Sequence, residues 1–482
     1  MFVVGRRFVA VAVVVTALSA CALRPAVSEL KQVEPASGYR WTHRDAVPEN
    51  DPGTLLILTF SGGGTRAAAF SYGVLEELRR TPLSTARGSE SNALAQIDLI
   101  TGTSGGSFTA LAYALHGEQL FGFYEQAFLK RDVQRQLIER LLNPLVWPKV
   151  LSQGFGRSEL AGEYYDEILF KGATFADLAR RAAPMTLVGA TDVSTGHRID
   201  FSQTQFDAMC LDLGAMPLSR AAAASSAVPG VLSPVTLDNH GGTCGFRPPP
   251  WMVEAARAPR EQLLGNRADA RLRQIASLGD AAARPYIHLV DGGLSDNLGL
   301  VSVVQALHEM MDNPAYRNAM LSNGLQRIAI VVVNARSAPT LRFDQEPVGP
   351  TTLQLLTQAV RVPMDRYSTE SVAALRDAIT EWRERARIEA DDRLQGRPEP
   401  PGGSLPAVRF FVSEVSFDAV DDAALRVYLQ NLPTSFFLSD EAVDRLRETA
   451  ARLLRESPAF AALLADLRAH RAPPGPSSST PR

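Results

Sequence analysis

The sequence predicts an α/β protein with a three-layer α/β/α architecture on a mostly parallel central sheet. Two observations carry that prediction. Six short apolar, β-rich runs (Leu55–Phe60, Ile97–Thr101, Met185–Ala190, Tyr286–Val290, Ile328–Val333 and Val408–Val415) alternate with stretches of helical pattern. Gly-rich turns also follow three of these runs, at the strand ends where open α/β sheets place their chemistry.

The first run, Leu55–Phe60, passes through Ser61-Gly62-Gly63-Gly64-Thr65-Arg66 into a predicted helix, Ala67–Arg80. Three consecutive glycines before a helix leave backbone N–H groups accessible at its positive end, which suits a phosphate or a developing oxyanion. No Gly-Lys-Ser/Thr follows, so the phosphate-binding loop pattern is not met. Arg66 is placed to orient the glycine loop. The second run leads into Gly102-Thr103-Ser104-Gly105-Gly106 and a predicted helix, Phe108–Leu115. This is G-x-S-x-G between strand and helix, a turn that holds the serine on a strained corner with its hydroxyl exposed.

Phe121–Leu142 reads as helix and ends in an apolar loop with two breakers, Asn143-Pro144-Leu145-Val146-Trp147-Pro148. That loop reads as an acyl-chain entrance or lid, or as a core-packed insertion. After Met185–Ala190, Asp192 reads as a turn acid. Tyr286–Val290 ends in Asp291-Gly292-Gly293-Leu294-Ser295-Asp296-Asn297, in which Asp296 and Asn297 are expected to brace the Asp291 turn. A helix over Leu300–Met311, a charged helix over Asp365–Gln395, a Pro/Gly linker over Gly396–Leu405 and a Ser439-capped helix broken at Pro458 complete the reading.

The residues favour a Ser–Asp dyad over a triad. In an α/β-hydrolase the histidine follows the acid, yet of the seven histidines only His308 and His470 follow Asp291, and neither has a loop setting suited to catalysis. A carboxylate needs a raised pKa to serve as a base near neutral pH, and burial supplies that.

With Ala223-Ala224-Ser225-Ser226-Ala227-Val228-Pro229-Gly230, which looks like an Ala-Ser-x-Ala-x-Pro segment, these blocks resemble the patatin-like phospholipase family from about Leu55 to Asn334. The resemblance implies that Ser104 attacks, Asp291 acts as base, and Gly62, Gly63 and Gly64 hold the oxyanion. It implies a serine acyl hydrolase acting on fatty-acyl esters of phospholipids or related lipids, with no cofactor. The chain departs from the family pattern at Ala67, where glycine is usual, and in an elbow reading Gly-Thr-Ser-Gly-Gly-Ser. An acyltransferase would use the same acyl-enzyme, and a silent lipoprotein scaffold would keep the fold, so both alternatives stay open in the sequence.

The N-terminus adds a location. Arg6-Arg7, an apolar Phe8–Leu18 and Leu18-Ser19-Ala20-Cys21 resemble a bacterial lipobox, with residues 1–20 as signal peptide and Cys21 as the lipidated residue. Ala22 after the cysteine favours the outer membrane in a Gram-negative source, so a membrane is an expected partner through this anchor. Residues 21–52 read as a tether, 53–340 as the catalytic domain, 341–405 as helical insertion and linker, 406–470 as completing elements and 471–482 as a disordered tail. The remaining cysteines, Cys210 and Cys244, form an even pair in an exported chain and are expected to be disulfide-bonded. The net charge of -3, without a basic stripe, speaks against a nucleic-acid partner. No carboxylate cluster has calcium-loop spacing, so no metal is expected.

Overall fold

The structure is a computed structural model that describes residues 25–41, 50–84, 90–152, 154–257, 263–338, 347 and 349–471. The predicted signal peptide, Cys21 and the predicted tail beyond Arg471 lie outside the described residues.

In chain order, β1 (Thr54–Phe60) runs into α1 (Gly64–Arg80), and β2 (Ile97–Thr103) into α2 (Gly105–His116). Then come α3 (Val133–Leu142), β3 (Met185–Asp192), β4 (Arg198–Asp200), α4 (Leu218–Ser225) and β5 (Val235–Asp238). β6 (Tyr286–Val290), α5 (Leu300–Asp312), β7 (Arg327–Asn334), α6 (Thr352–Leu394), β8 (Arg409–Ser416) and α7 (Asp440–Glu456) follow. The sheet order is β8-β7-β1-β2-β3-β6-β5, with β4 paired to β3. The run from β8 to β3 is parallel. β1, β2 and β7 are buried at every residue, as strands covered on both faces must be, and this is why they read as continuous apolar runs. α7 packs along α1 and α5 along α6, so the C-terminal elements are part of the same body as the sheet.

Direction changes beyond β3. β6 runs antiparallel, and only its last two residues meet the last two of β3, Thr191 opposite Val290 and Asp192 opposite Leu289. Asp291 therefore reaches the C-terminal edge of the parallel strands on a strand that enters from beyond that edge. β5 completes the edge antiparallel to β6.

Three expectations on local structure change. Phe121–Leu142 is not one helix: a short turn over Gly117–Gly122, a wide π-type turn over Glu125–Leu129 and α3 replace it. Asp132 starts α3 afresh by accepting the Arg135 N–H at 2.8 Å. α6 begins at Thr352 rather than Asp365, initiated by a reciprocal Thr351–Gln354 capping box, and carries Pro363 within it. Residues 25–41, expected as tether, are docked: Arg40 makes a buried two-pronged ion pair with Asp207 at 2.7 and 2.9 Å, and the Thr186 N–H donates to the Tyr39 hydroxyl. Among the described residues no helix is long and apolar enough to cross a membrane.

A disulfide joins Cys210 to Cys244 across 34 residues. The loop it closes contains α4 and β5. The chain-entropy estimate for a loop of this length is about 3–4 kcal/mol. Reduction is therefore expected to lower the melting temperature and, because α4 supports the site described next, the activity with it. Paired melting and activity curves with and without reductant test this; two unmoved curves would make the bridge incidental.

Candidate active site

Ser104 sits between the end of β2 and the start of α2 with φ 48° and ψ −120°, a conformation that glycine tolerates and serine resists. The corner places its hydroxyl against the acid: Oγ donates to Asp291 Oδ2 at 2.9 Å. The hydroxyl is not solvent-facing, as the elbow pattern suggests; Ser104 is 6% exposed and Asp291 5%. The other carboxylate oxygen, Oδ1, accepts the Gly293 N–H at 2.8 Å. Burial pushes the Asp291 carboxyl up to about 6, against the opposing pull of its hydrogen bonds from Gly293 and Ser104.

The glycine loop lies alongside. Gly63 and Gly64 have φ of 140° and 60°, and a Cβ at Gly105 would collide with the Gly64 backbone. The two backbones approach closely because Gly105 lacks a side chain, while a Cβ at Gly64 would meet the Ser435 backbone. The expectation that three amides are available is corrected to two: the Gly62 N–H donates to the Asn297 carbonyl at 2.9 Å. The Gly63 and Gly64 N–H groups have no acceptor among the described residues.

Arg66 is buried. Its guanidinium donates to the carbonyls of Ala335 at 2.9 Å and Leu432 at 2.6 Å, and to Thr434 Oγ1 at 3.1 Å. It thus ties the start of α1 to the chain after β7 and to the loop before α7. Burial, and next the neighbouring Arg361, bring its pKa down to about 10.

Asp296 braces the Asp291 turn through its backbone, its N–H donating to the Gly292 carbonyl at 3.0 Å, while its side chain serves elsewhere. It accepts the N–H groups of Leu300 at 3.1 Å and Val301 at 2.8 Å at the start of α5, and it faces Arg198 at 3.4 Å. Asn297 connects the acid turn to the glycine loop through its carbonyl. Asp192 is a turn acid, accepting from Ser194 and Thr195 and pairing with Arg284. His288 hydrogen-bonds Thr236 across the β5–β6 pair, and His308 faces Glu381, so neither approaches the dyad.

One residue has a larger part than its motif alone assigns. Ser225, the last residue of α4, accepts the Ser104 backbone N–H at 2.9 Å and donates the same Oγ to the Gly189 carbonyl at 2.7 Å. Its own carbonyl accepts the Gly292 N–H, while Ala227 O accepts that of Asp291, each at 3.0 Å. The Ala223–Gly230 block therefore holds the elbow and the acid turn together. The sequence signal for it was the block itself.

Residues 58–304 match the model of the patatin-like phospholipase family. The chain belongs to that family. Among solved structures it is similar to human GIVD cytosolic phospholipase A2, at 12% identity and a TM-score of 0.37, over 87% of this chain and 63% of that one. The same protein in complex with methyl gamma-linolenyl fluorophosphonate matches at 12% identity and 0.34, over 88% of this chain and 60% of that one. The chain thus spans about three-fifths of those proteins' length. No curated protein matches it by sequence.

Proposed function

We propose that this patatin-like protein is a serine acyl hydrolase that cleaves fatty-acyl ester bonds of phospholipids or related lipids. The observation that carries the reading is the 2.9 Å hydrogen bond from Ser104 Oγ to a buried Asp291 whose pKa is raised to about 6. A hydroxyl needs a base within hydrogen-bond reach, and a carboxylate raised toward neutrality is a better base than an ordinary one.

In the first step Asp291 takes the Ser104 proton as Oγ bonds to the ester carbonyl carbon. The carbonyl oxygen becomes an oxyanion, stabilised by the Gly63 and Gly64 N–H groups. The tetrahedral intermediate collapses by breaking the ester C–O bond, and the departing alcohol takes the proton from Asp291. Water then attacks the acyl-enzyme, giving its proton to Asp291; the second tetrahedral intermediate releases the fatty acid and returns the proton to Ser104. No cofactor enters this scheme. Cys21 would carry the lipid anchor that keeps the enzyme at its substrate's membrane.

The deciding experiment incubates delipidated protein with mixed phospholipids and neutral glycerides and identifies released fatty acids by mass spectrometry. Free fatty acid without lipid transfer supports hydrolysis. Acyl chains appearing only on added alcohols would make it an acyltransferase, and no product at all would leave a scaffold.

Ser225 enters as a positioning residue. Ser225→Ala leaves the Ser104 N–H and the Gly189 carbonyl without this partner in a buried site, at a cost of about 1–3 kcal/mol for each. The expected result is a roughly 10- to 100-fold fall in kcat with KM little changed, from a displaced nucleophile. The fluorophosphonate labelling rate at Ser104 should fall in proportion at temperatures where the variant stays folded. Unchanged labelling in a destabilised variant would reduce Ser225 to a packing role.

A further inference from the structure

The α3 helix and the turns after it carry an apolar surface that the core does not use. Leu145 and Leu151 are 87% and 81% exposed, Leu142 67%, and Ile138 and Trp147 each 49%. Val231, on the turn that follows the Ala223–Gly230 block, is 68% exposed. The sequence alternatives for this loop were an acyl-chain entrance or lid and a core-packed insertion, and such exposure rules out the last. Single exposed apolar residues are ordinary, but five within one short stretch are not.

The stretch is tied to both sides of the candidate site. On one side, Gln134 N–H donates to Phe436 O and Thr65 N–H to Ser435 O, which joins α3 to the glycine loop. Phe436 also packs edge-on against Phe108, four residues after Ser104, at 5.5 Å. On the other side, Ser158 N–H donates to Ser233 Oγ at 3.1 Å, and Ser233 lies just beyond the block that holds the Asp291 turn.

Charge and residue type indicate what covers it. From 130 to 157 the chain has six basic residues against two acidic ones, in a protein of net charge -3. Trp147 satisfies its indole N–H internally, on the Leu141 carbonyl at 3.0 Å, so the ring can enter an apolar phase without an unmet donor. Exposed leucines and a tryptophan, flanked by the long side chains of Arg140 and Lys149, are the composition of a surface that lies in a bilayer interface.

We propose that Ile138–Leu151, with Val231, is a docking surface for a lipid bilayer that seats the candidate site on its substrate. The proposal rests on the lipid-hydrolase reading for its purpose but not for its test. Four of the six basic residues face carboxylates: Lys130 with Glu125 and Asp444, Arg135 with Glu139, Arg140 with Glu167 and Lys149 with Glu163. Apolar insertion therefore supplies most of the binding, and salt weakens it less than loss of the leucines does.

The test uses full-length protein carrying Cys21→Ser, so that no acyl anchor masks the surface, with Ser104→Ala added for binding so that vesicles stay intact. Co-sedimentation with vesicles of phosphatidylcholine and phosphatidylglycerol is measured for this protein and for a Leu145→Glu/Leu151→Glu variant. Both leucines are largely free of packing, so the fold should stand, which circular dichroism checks. Val427→Glu, at another exposed apolar position, is the control. The leucine variant is expected to lose about 100-fold in vesicle partition, since each leucine leaving an apolar phase accounts for about tenfold or more. Val427→Glu should lose little. With Ser104 restored, the leucine variant should lose vesicle-lipid hydrolysis while keeping hydrolysis of a soluble short-chain ester. Unchanged partition overturns the proposal. So does a leucine variant that only dissociates a dimer, seen by light scattering, because the surface would then belong to a second copy. Lost partition in a protein with no esterase activity would retain the docking surface and discard the hydrolase reading.

Discussion

Replacing Ser104 with alanine is expected to reduce ester cleavage by about 10⁴-fold or more, because the proposed acyl-enzyme forms on the Ser104 hydroxyl. A fluorophosphonate probe should label the wild type at Ser104 and leave the alanine variant unlabelled. The stability outcome is less obvious and tests the geometry. Alanine removes the 2.9 Å hydrogen bond to Asp291 but keeps a Cβ on a residue at φ 48°. It should therefore cost about 1–3 kcal/mol, because the buried Asp291 Oδ2 loses its donor. Glycine loses the same bond but also releases backbone strain of about 1–3 kcal/mol. Ser104→Gly should then be at least as stable as Ser104→Ala, the order that a positive-φ N-cap favours and the reverse of the order in a helix interior. Melting curves of the two inactive variants decide it. Ester cleavage or labelling persisting in the alanine variant would remove Ser104 from the nucleophile's role.

Much of the fold was legible because its strands are buried on both faces. β1, β2 and β7 carry no alternation, but their apolar runs are too short for buried helices, and glycine-rich turns mark where β1, β2 and β6 end. β4 and β5 were not legible. Each is only three or four residues long, and β4 presents Arg198 and Asp200, whose polarity is matched by each other at 2.7 Å rather than by solvent. The direction of β6 was hidden for a different reason: a short apolar run has the same appearance in either orientation, and the Asp-Gly-Gly that follows it is local. Pro363 concealed the first turns of α6, where a local rule about helix breaking gave way to a strong capping box upstream.

The site divides in the same way. Ser104, Asp291 and the glycine loop are marked by residue type. Which amide is free is not, because the group that engages Gly62 is a backbone carbonyl at Asn297, and carbonyls leave no trace in a sequence. Ser225 lies between these cases. Its motif was visible, but its two hydrogen bonds run to backbone atoms of Ser104 and Gly189, 121 and 36 residues away. Side-chain chemistry was thus readable and the backbone scaffold that aims it was not.

Asp291→Asn should separate activity from stability in opposite directions. An amide has no basicity to take the serine proton, so a fall of about 10³- to 10⁴-fold in kcat/KM is expected, comparable to loss of an acid that orients a catalytic base. In the wild type, activity should rise with pH through an apparent pKa of about 6, where Asp291 ionises. At pH 5 it should be about a tenth of its plateau, and the variant's residual activity should show no such step. Stability follows from the sign of the shift. The folded-state pKa is raised from 3.8 to about 6, so between these values the folded protein holds a proton that the unfolded chain releases. Folding is therefore favoured as pH falls through 6 toward 3.8, and ionisation above 6 costs the native state about 3 kcal/mol. Asparagine carries no charge to bury, and its amide can accept from Gly293 and meet Ser104 in the same turn. The variant should accordingly be more stable than wild type at pH 8, by up to about 3 kcal/mol, with the difference shrinking below pH 6 and vanishing near pH 4. Denaturant melts of both proteins across that range measure it. A variant less stable than wild type at pH 8, or a gap that does not close on acidification, would mean that Asp291 is not the strained base its burial implies.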